Sequence, residues 1–394
     1  MMVPPSLLAL TAEAGALQTR LETWCALNSG SGNLVGLARM ADMLEAALLE
    51  LTPEVSRVPV SADGRVALVA RQRPQALVRV LCSGHYDTVY EADSPFQQCT
   101  RINAHTLQGP GVADMKGGLV VMMAALRAFE ELPGSEALGW DVVLTPDEEI
   151  GSAASRPLLE AQAQHCQLGL LFEPARENGD MVESRKGTGI FTVTCHGRAA
   201  HAGRNPDDGR NAILALAEYL LAIQSLATEL PGVMLNVGRI RGGGTVNVVP
   251  DFAEAELNAR SASIAAARSF EAELHRRAEP IRQREGYRLE ISGCFNRPPM
   301  ERTPLADRLR PVLQATAQAL NLPAFDWVHV GGGSDANLFQ AVGLPCLDGL
   351  GPIGGHLHSS REYVDLPSLV QRTQLAALFL HRLARGEARI AGSQ

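Results

Sequence analysis

Several things are missing from this chain, and each absence removes a class of function. Its seven cysteines (Cys25, Cys82, Cys99, Cys166, Cys195, Cys294 and Cys346) are scattered, odd in number and never spaced Cys-x-x-Cys. That argues against a disulfide framework and fits reduced, mostly buried thiols in a cytoplasmic protein. No apolar run reads as long enough to cross a bilayer. The apolar Ser6–Leu10 stretch lacks a basic start and is too short for a secretion signal. Positive charge is scarce: a net charge of -8 argues against nucleic acid or an anionic membrane as partner. There are no internal repeats or low-complexity tracts. A His-Glu-x-x-His zinc helix and a Gly-x-Ser-x-Gly nucleophile elbow are also missing; Ala336 follows Ser334-Asp335 where the elbow needs its second glycine. The glycine-rich stretch from Gly109 to Gly118 fails the dinucleotide fingerprint, because Asp114 stands where the third glycine belongs. No Walker lysine follows in register.

What is present suffices for two domains or one large one with ample core, at 394 residues and 46% hydrophobic content. The first fifty residues carry Ala and Leu at helical spacing, broken at Asn28–Asn33. Residues 65–71 and 78–82 read as strands, 115–132 as a helix, and 141–145 and 168–172 as further strands. Strands alternating with helices indicate an α/β sheet, mostly parallel with flanking helices. The pattern changes near Asn178-Gly179-Asp180. A half-buried strand at 189–195, an amphipathic helix at 211–227, strands at 233–240 and 253–259, a polar helix at 264–285 and a strand at 288–291 follow. That β-α-β-β-α-β order is a ferredoxin-like α+β unit. The expected organisation is a catalytic domain in two parts, 1–180 and 297–394, interrupted by an inserted domain at 181–296.

Three apolar strands each deliver an imidazole or carboxylate at the carboxyl end: His85 with Asp87, Glu148-Glu149, and Glu173. That edge is where open parallel sheets bind ligands, and such a cluster is what a hydrolytic metal centre requires. His85 and Asp87 lie two apart, so both can point the same way. A surface turn would account for them equally. Asp114 precedes a helix and reads as either a ligand or an N-cap. Of the adjacent glutamates one can bind metal while the other addresses a water, although paired glutamates are usually solvated. His356 and His358, in a glycine-rich loop, are alternatives for one more ligand.

Together these motifs resemble the co-catalytic di-zinc family of glutamate carboxypeptidase, acetylornithine deacetylase, succinyl-diaminopimelate desuccinylase and the aminoacylases. The resemblance spans nearly the whole chain. It rests on Gly84–Val89, Gly109–Gly118, Pro146–Ser152, Phe172–Pro174, His201-Ala202-Gly203 and His358–Val364. It implies that Asp114 bridges two zinc ions per chain, with cobalt or manganese as substitutes. His85 and Glu173 would complete one site, and Glu149 and His358 the other. Glu148 would be the general base, and Asp87 the partner that orients His85. Three carboxylates and one hydroxide would neutralise two divalent ions. The resemblance also makes the inserted domain a lid that forms a homodimer. His201 would reach the neighbouring subunit's oxyanion, Asn247 and Arg260 would hold a substrate carboxylate, and the amides of Gly331, Gly332 and Gly333 would be a companion cradle. Glutamate carboxypeptidases are the nearest in character.

Departures from the family leave the substrate open. Several relatives carry Asp at the Glu173 position, and Glu leans toward the carboxypeptidase and deacetylase side. Arg185-Lys186 reads equally as a contact to an acidic substrate group or as a solvated turn. The expected activity is hydrolysis of an amide next to a free carboxylate, on a small peptide. The alternative is an N-acyl amino acid deacylase, and more remotely a binding protein that kept the fold without turnover.

Overall fold

The computed structural model describes residues 3–390, and the chain divides into two compact units. The first takes in the chain up to Glu183, then Arg302–His329 and the stretch from Ser334 onward; the second comprises Ser184–Glu301 with Val330–Gly333.

The first unit is built on a six-stranded sheet. Gly139–Thr145, Arg79–His85, Leu168–Leu171 and Cys346–Leu347 run parallel in that spatial order. Val66–Gln72 and Glu54–Pro59 extend the Gly139–Thr145 side antiparallel, so the sheet is mostly parallel. Gly139–Thr145 is buried along its whole length, as a strand covered on both faces must be. The helix Lys116–Glu130 is almost entirely buried, and Leu366–Ala384 packs against it. Glu54–Pro59 has no counterpart in the sequence reading. It is a largely exposed edge strand without the apolar alternation that marks one. The break in the N-terminal helices falls where Asn33 caps Leu34–Leu49, its side chain accepting from the Gly36 N–H at 3.0 Å.

The second unit has a four-stranded antiparallel sheet in the spatial order Val233–Gly242, Phe252–Ser261, Gly187–His196, Arg288–Arg297. Helices Ala212–Gln224 and Ile264–Arg282 begin at side-chain caps, Asn211 and Ser263. They bury Leu216, Tyr219, Ile223, Phe270 and Leu274 with Phe191, Val193 and Leu257 of the strands. Elements therefore run β-α-β-β-α-β, with extra helical turns at Pro206–Asp208 and Leu226–Glu229. Val330–Gly333, which the sequence placed with the last catalytic segment, belongs to this unit. The Lys186 N–H donates to the Val330 carbonyl at 3.1 Å, and Arg260 Nη1 donates to the Gly331 carbonyl at 2.7 Å.

The expectation of no membrane-length apolar run needs one correction. Ala212–Glu229 has the length and mean hydropathy, 1.3, of such a helix. The helix breaks at Ser225, and one face of it is core of the second unit.

Candidate metal centre

The carboxyl ends of three parallel strands meet the start of the Lys116–Glu130 helix in the first unit. Close approach is possible because Gly118 has no side chain: a Cβ there would lie 1.9 Å from the Phe172 carbonyl oxygen. The helix N-terminus thus abuts the chain just before Glu173. Its N-cap is Met115, which makes no side-chain cap. Asp114 is therefore not an N-cap; its carboxylate turns to the histidines instead.

His85 Nε2 lies 3.2 Å from Asp114 Oδ1, 3.9 Å from Glu173 Oε1 and 4.0 Å from Glu148 Oε2. His358 Nε2 lies 3.2 Å from Asp114 Oδ2 and 3.1 Å from Glu149 Oε2. The two oxygens of one aspartate thus face two different histidines, and each histidine has a second carboxylate beside it. His85, Asp87, Glu148 and Glu173 are buried, which disposes of the surface-turn and solvated-pair readings. Of the two loop histidines it is His358 that joins the cluster; His356 stacks edge-on against Tyr363. His358 sits in the left-handed region, with φ 58°, a conformation that costs a non-glycine residue free energy and concentrates at functional sites.

Carboxylates and imidazoles crowd together here and shift one another's protonation. Burial and the charge of Asp114 push the Glu149 carboxyl up to about 7. Asp114 and Glu149 push His358 up to about 11. Burial disfavours the charged forms of Asp114 and His85. His358 and His85 beside Asp114 outweigh this and hold the aspartate below the usual range, while Asp114 and Asp87 beside His85 hold the imidazole above it. Glu149 Oε1 is buried with no hydrogen-bond donor among the described residues. A buried acceptor left unpaired is costly unless something cationic meets it. Imidazole nitrogens, carboxylates and this orphaned oxygen together fit a zinc-type ion. His85, Asp114 and Glu149 offer ligand atoms all within 4.8 Å of one another.

Asp87 does more than the sequence suggested. His85 Nδ1 lies 3.0 Å from the Asp87 carbonyl and 3.4 Å from its Oδ1, which leaves Nε2 for the metal side. The Asp87 carboxylate meanwhile accepts the backbone N–H of Glu148 at 3.1 Å and of Glu149 at 3.2 Å, and the Ser31 hydroxyl at 2.7 Å. Sequence reasoning missed Ser31. It also missed Asp335, a buried acceptor for the hydroxyls of Ser152 at 2.5 Å and Thr145 at 3.2 Å on either side of the glutamates. It gave no role to Glu362 or Tyr90, although Glu362 lies within a quoted motif.

The remaining sequence-derived residues lie in the second unit. His201 is exposed, its Nδ1 accepting from the Gly203 N–H at 3.1 Å. The next residue, Ala202, donates its N–H to the Asn247 carbonyl at 2.9 Å, so these two segments are neighbours. Arg260 and Arg185 converge on the glycine segment, with Arg185 Nη1 donating to the Gly332 carbonyl at 3.3 Å. These bonds engage the carbonyls of Gly331 and Gly332.

Residues 81–382 match the model of peptidase family M20/M25/M40. The chain belongs to that family, and it is a metal-dependent hydrolase. It is 27% identical over 394 residues to carboxypeptidase G2 of Pseudomonas sp. (strain RS-16), covering 96% of this chain and 92% of that one. It is 27% identical over 293 residues to succinyl-diaminopimelate desuccinylase of Pseudoalteromonas translucida (strain TAC 125), covering 70% and 75%. Among solved structures it resembles the aminopeptidase PepT of Bacillus cereus ATCC 10987, with TM-score 0.74, 19% identity and coverage of 94% and 99%.

Proposed function

We propose that the chain hydrolyses the amide bond next to a free carboxylate in a small peptide, with two zinc ions per chain. The observation that carries this is Asp114, whose two carboxylate oxygens each face a different histidine at 3.2 Å. Asp114 would be shared, His85 and Glu173 would hold one ion, and Glu149 and His358 the other. When bound, the ions lower the pKa of water and polarise the scissile carbonyl. Glu148 takes a proton from the attacking water and passes it to the leaving amine. Asp87 keeps Glu148 and His85 in register through the bonds described above.

The family resemblance extends the reading to the second unit. Arg260 and Asn247 hold the substrate carboxylate, and His201 stabilises the oxyanion in a partner subunit. A homodimer is supported by the outward face of the Ala212–Gln224 helix, where Leu214 is 66% and Leu221 71% exposed. Beside it the edge strand Val233–Gly242 exposes Met234 and Ile240. A second reading is an N-acyl amino acid deacylase, favoured by the likeness to the desuccinylase.

The test is to strip the protein with a chelator, restore zinc or cobalt, and assay a panel of dipeptides and N-acyl amino acids. Zinc-dependent release of a C-terminal amino acid supports the first reading. Turnover confined to N-acyl amino acids supports the second. Metal-independent hydrolysis, or metal binding without turnover on any compound, overturns both.

A further inference from the structure

Glu362 is fully buried, and none of the chemistry above uses it. Its Oε1 accepts from the N–H groups of Ala113 at 2.9 Å and Asp114 at 3.0 Å. Its Oε2 accepts from the Gly111 N–H at 3.1 Å and from the Tyr90 hydroxyl at 2.6 Å. Its own carbonyl accepts from the Gly109 N–H at 3.1 Å. One residue thus gathers three segments that carry ligands: the loop ending in Asp114, the loop of His358 four residues before it, and the stretch after His85 that leads to Tyr90. The Tyr90 hydroxyl also lies 2.9 Å from the Ser359 carbonyl, one residue past His358.

The loop needs such a tie. Gly109 and Gly111 give it backbone freedom, and Gly111 stands in the left-handed region at φ 71°. A glycine-rich loop would otherwise sample many directions for the Asp114 carboxylate. Burying a carboxylate is expensive unless it is well hydrogen-bonded. Glu362 meets that condition with N–H and O–H donors alone: among the described residues no Lys, Arg or His forms an ion pair with it. Donors so placed fix where the oxygens sit, and the oxygens in turn fix the backbone of residues 111–114.

We infer that Glu362 is a positioning residue of the metal centre. It sets the Asp114 backbone so that the two oxygens of one carboxylate face His85 and His358. The inference rests on the metal-centre reading above.

The experiment measures zinc affinity by competition with a chelator in the parent, Glu362→Gln and Tyr90→Phe. Each protein is also melted with and without zinc. A glutamine keeps the size but turns an N–H₂ toward N–H donors, so the loop must shift. Glu362→Gln should weaken zinc binding by about 10- to 100-fold, the scale seen when a ligand's supporting partner is lost. The rise in Tm on adding zinc should shrink with it. Tyr90→Phe leaves the carboxylate in place and should weaken zinc by a smaller factor. A purely structural role would lower the Tm of the metal-free and zinc-loaded forms alike and leave zinc affinity unchanged; that result overturns the inference. If Glu362→Gln does not fold, Tyr90→Phe decides, and parental zinc affinity there overturns it. A parent that binds no zinc sinks the metal reading and this inference together. A zinc-binding parent with both variants unchanged sinks this inference alone.

Discussion

The backbone N–H of Glu148 donates to Asp87 Oδ1 at 3.1 Å. The glutamate assigned as base is therefore held by its main chain, and its side chain takes no part in that bond. Because Glu149 is held the same way by Oδ2, one aspartate holds the backbone of both glutamates and lies against the His85 ring. Asp87→Asn would present an N–H₂ to one of these N–H donors and push the Glu148-Glu149 turn away. Zinc affinity should fall about 10- to 100-fold, and kcat should fall further than metal loss accounts for. Chelator competition and rates at saturating zinc check this; a variant with parental values in both would show that Asp87 orients nothing.

Ligand and base are separable. Glu148→Gln should keep two metals per chain while turnover drops by about 10²-fold or more, the scale of general-base catalysis. Glu149→Ala should lose metal instead. Elemental analysis of the two variants decides, and equal metal loss in both would make the assignment wrong.

Zinc binding should tighten as pH rises. Ligands bind metal in their deprotonated forms. In the metal-free protein Asp114 and Glu149 push His358 up to about 11, so its proton must leave when metal arrives. His85, held above its ordinary value by Asp114 and Asp87, gives up a second proton, and burial with Asp114 pushes Glu149 up to about 7, which adds a third in acid. Apparent affinity should rise about tenfold per pH unit for each proton released, more steeply below about pH 7 than above it. Competition titrations at pH 6, 7 and 8 would show this; a flat profile would remove His358 and Glu149 from the ligand set.

His201→Ala should leave both metals bound and turnover lower by about 10²- to 10³-fold, as for loss of one oxyanion donor. Mixing His201→Ala subunits with Glu148→Gln subunits, each inactive, tests whether the histidine acts across a dimer. Mixed dimers that hold one complete site would regain activity. No recovery despite proven subunit exchange, or a monomeric mass with full activity, would confine His201 to its own subunit.

Much of the centre was legible because its signals are local. An apolar run followed within a few residues by His85, by Glu148-Glu149 or by Glu173 announces both a buried strand and the side chain at its end. Parallel pairing of those strands then brings the ends together. The order of elements from Gly187 to Arg297 was equally readable, since strand alternation and helix periodicity repeat over short windows. Glu54–Pro59 was not, because an exposed edge strand carries no apolar alternation.

By itself the sequence determined which residue types stand at the strand ends, and with them the family. Without the family resemblance its residue pattern left open whether Asp114 capped a helix or served as a ligand, and which of His356 and His358 counted; the resemblance implied Asp114 and His358. The tertiary structure sets Asp114 against His85 and His358 and turns His356 onto Tyr363. It alone revealed Glu362 as the acceptor for Gly111, Ala113 and Asp114, and joined Val330–Gly333 to the second unit. The partners in those contacts lie far apart along the chain. No periodicity or spacing encodes such pairs; they exist only once the sheet has brought its strand ends together and the buried polar groups have found their donors.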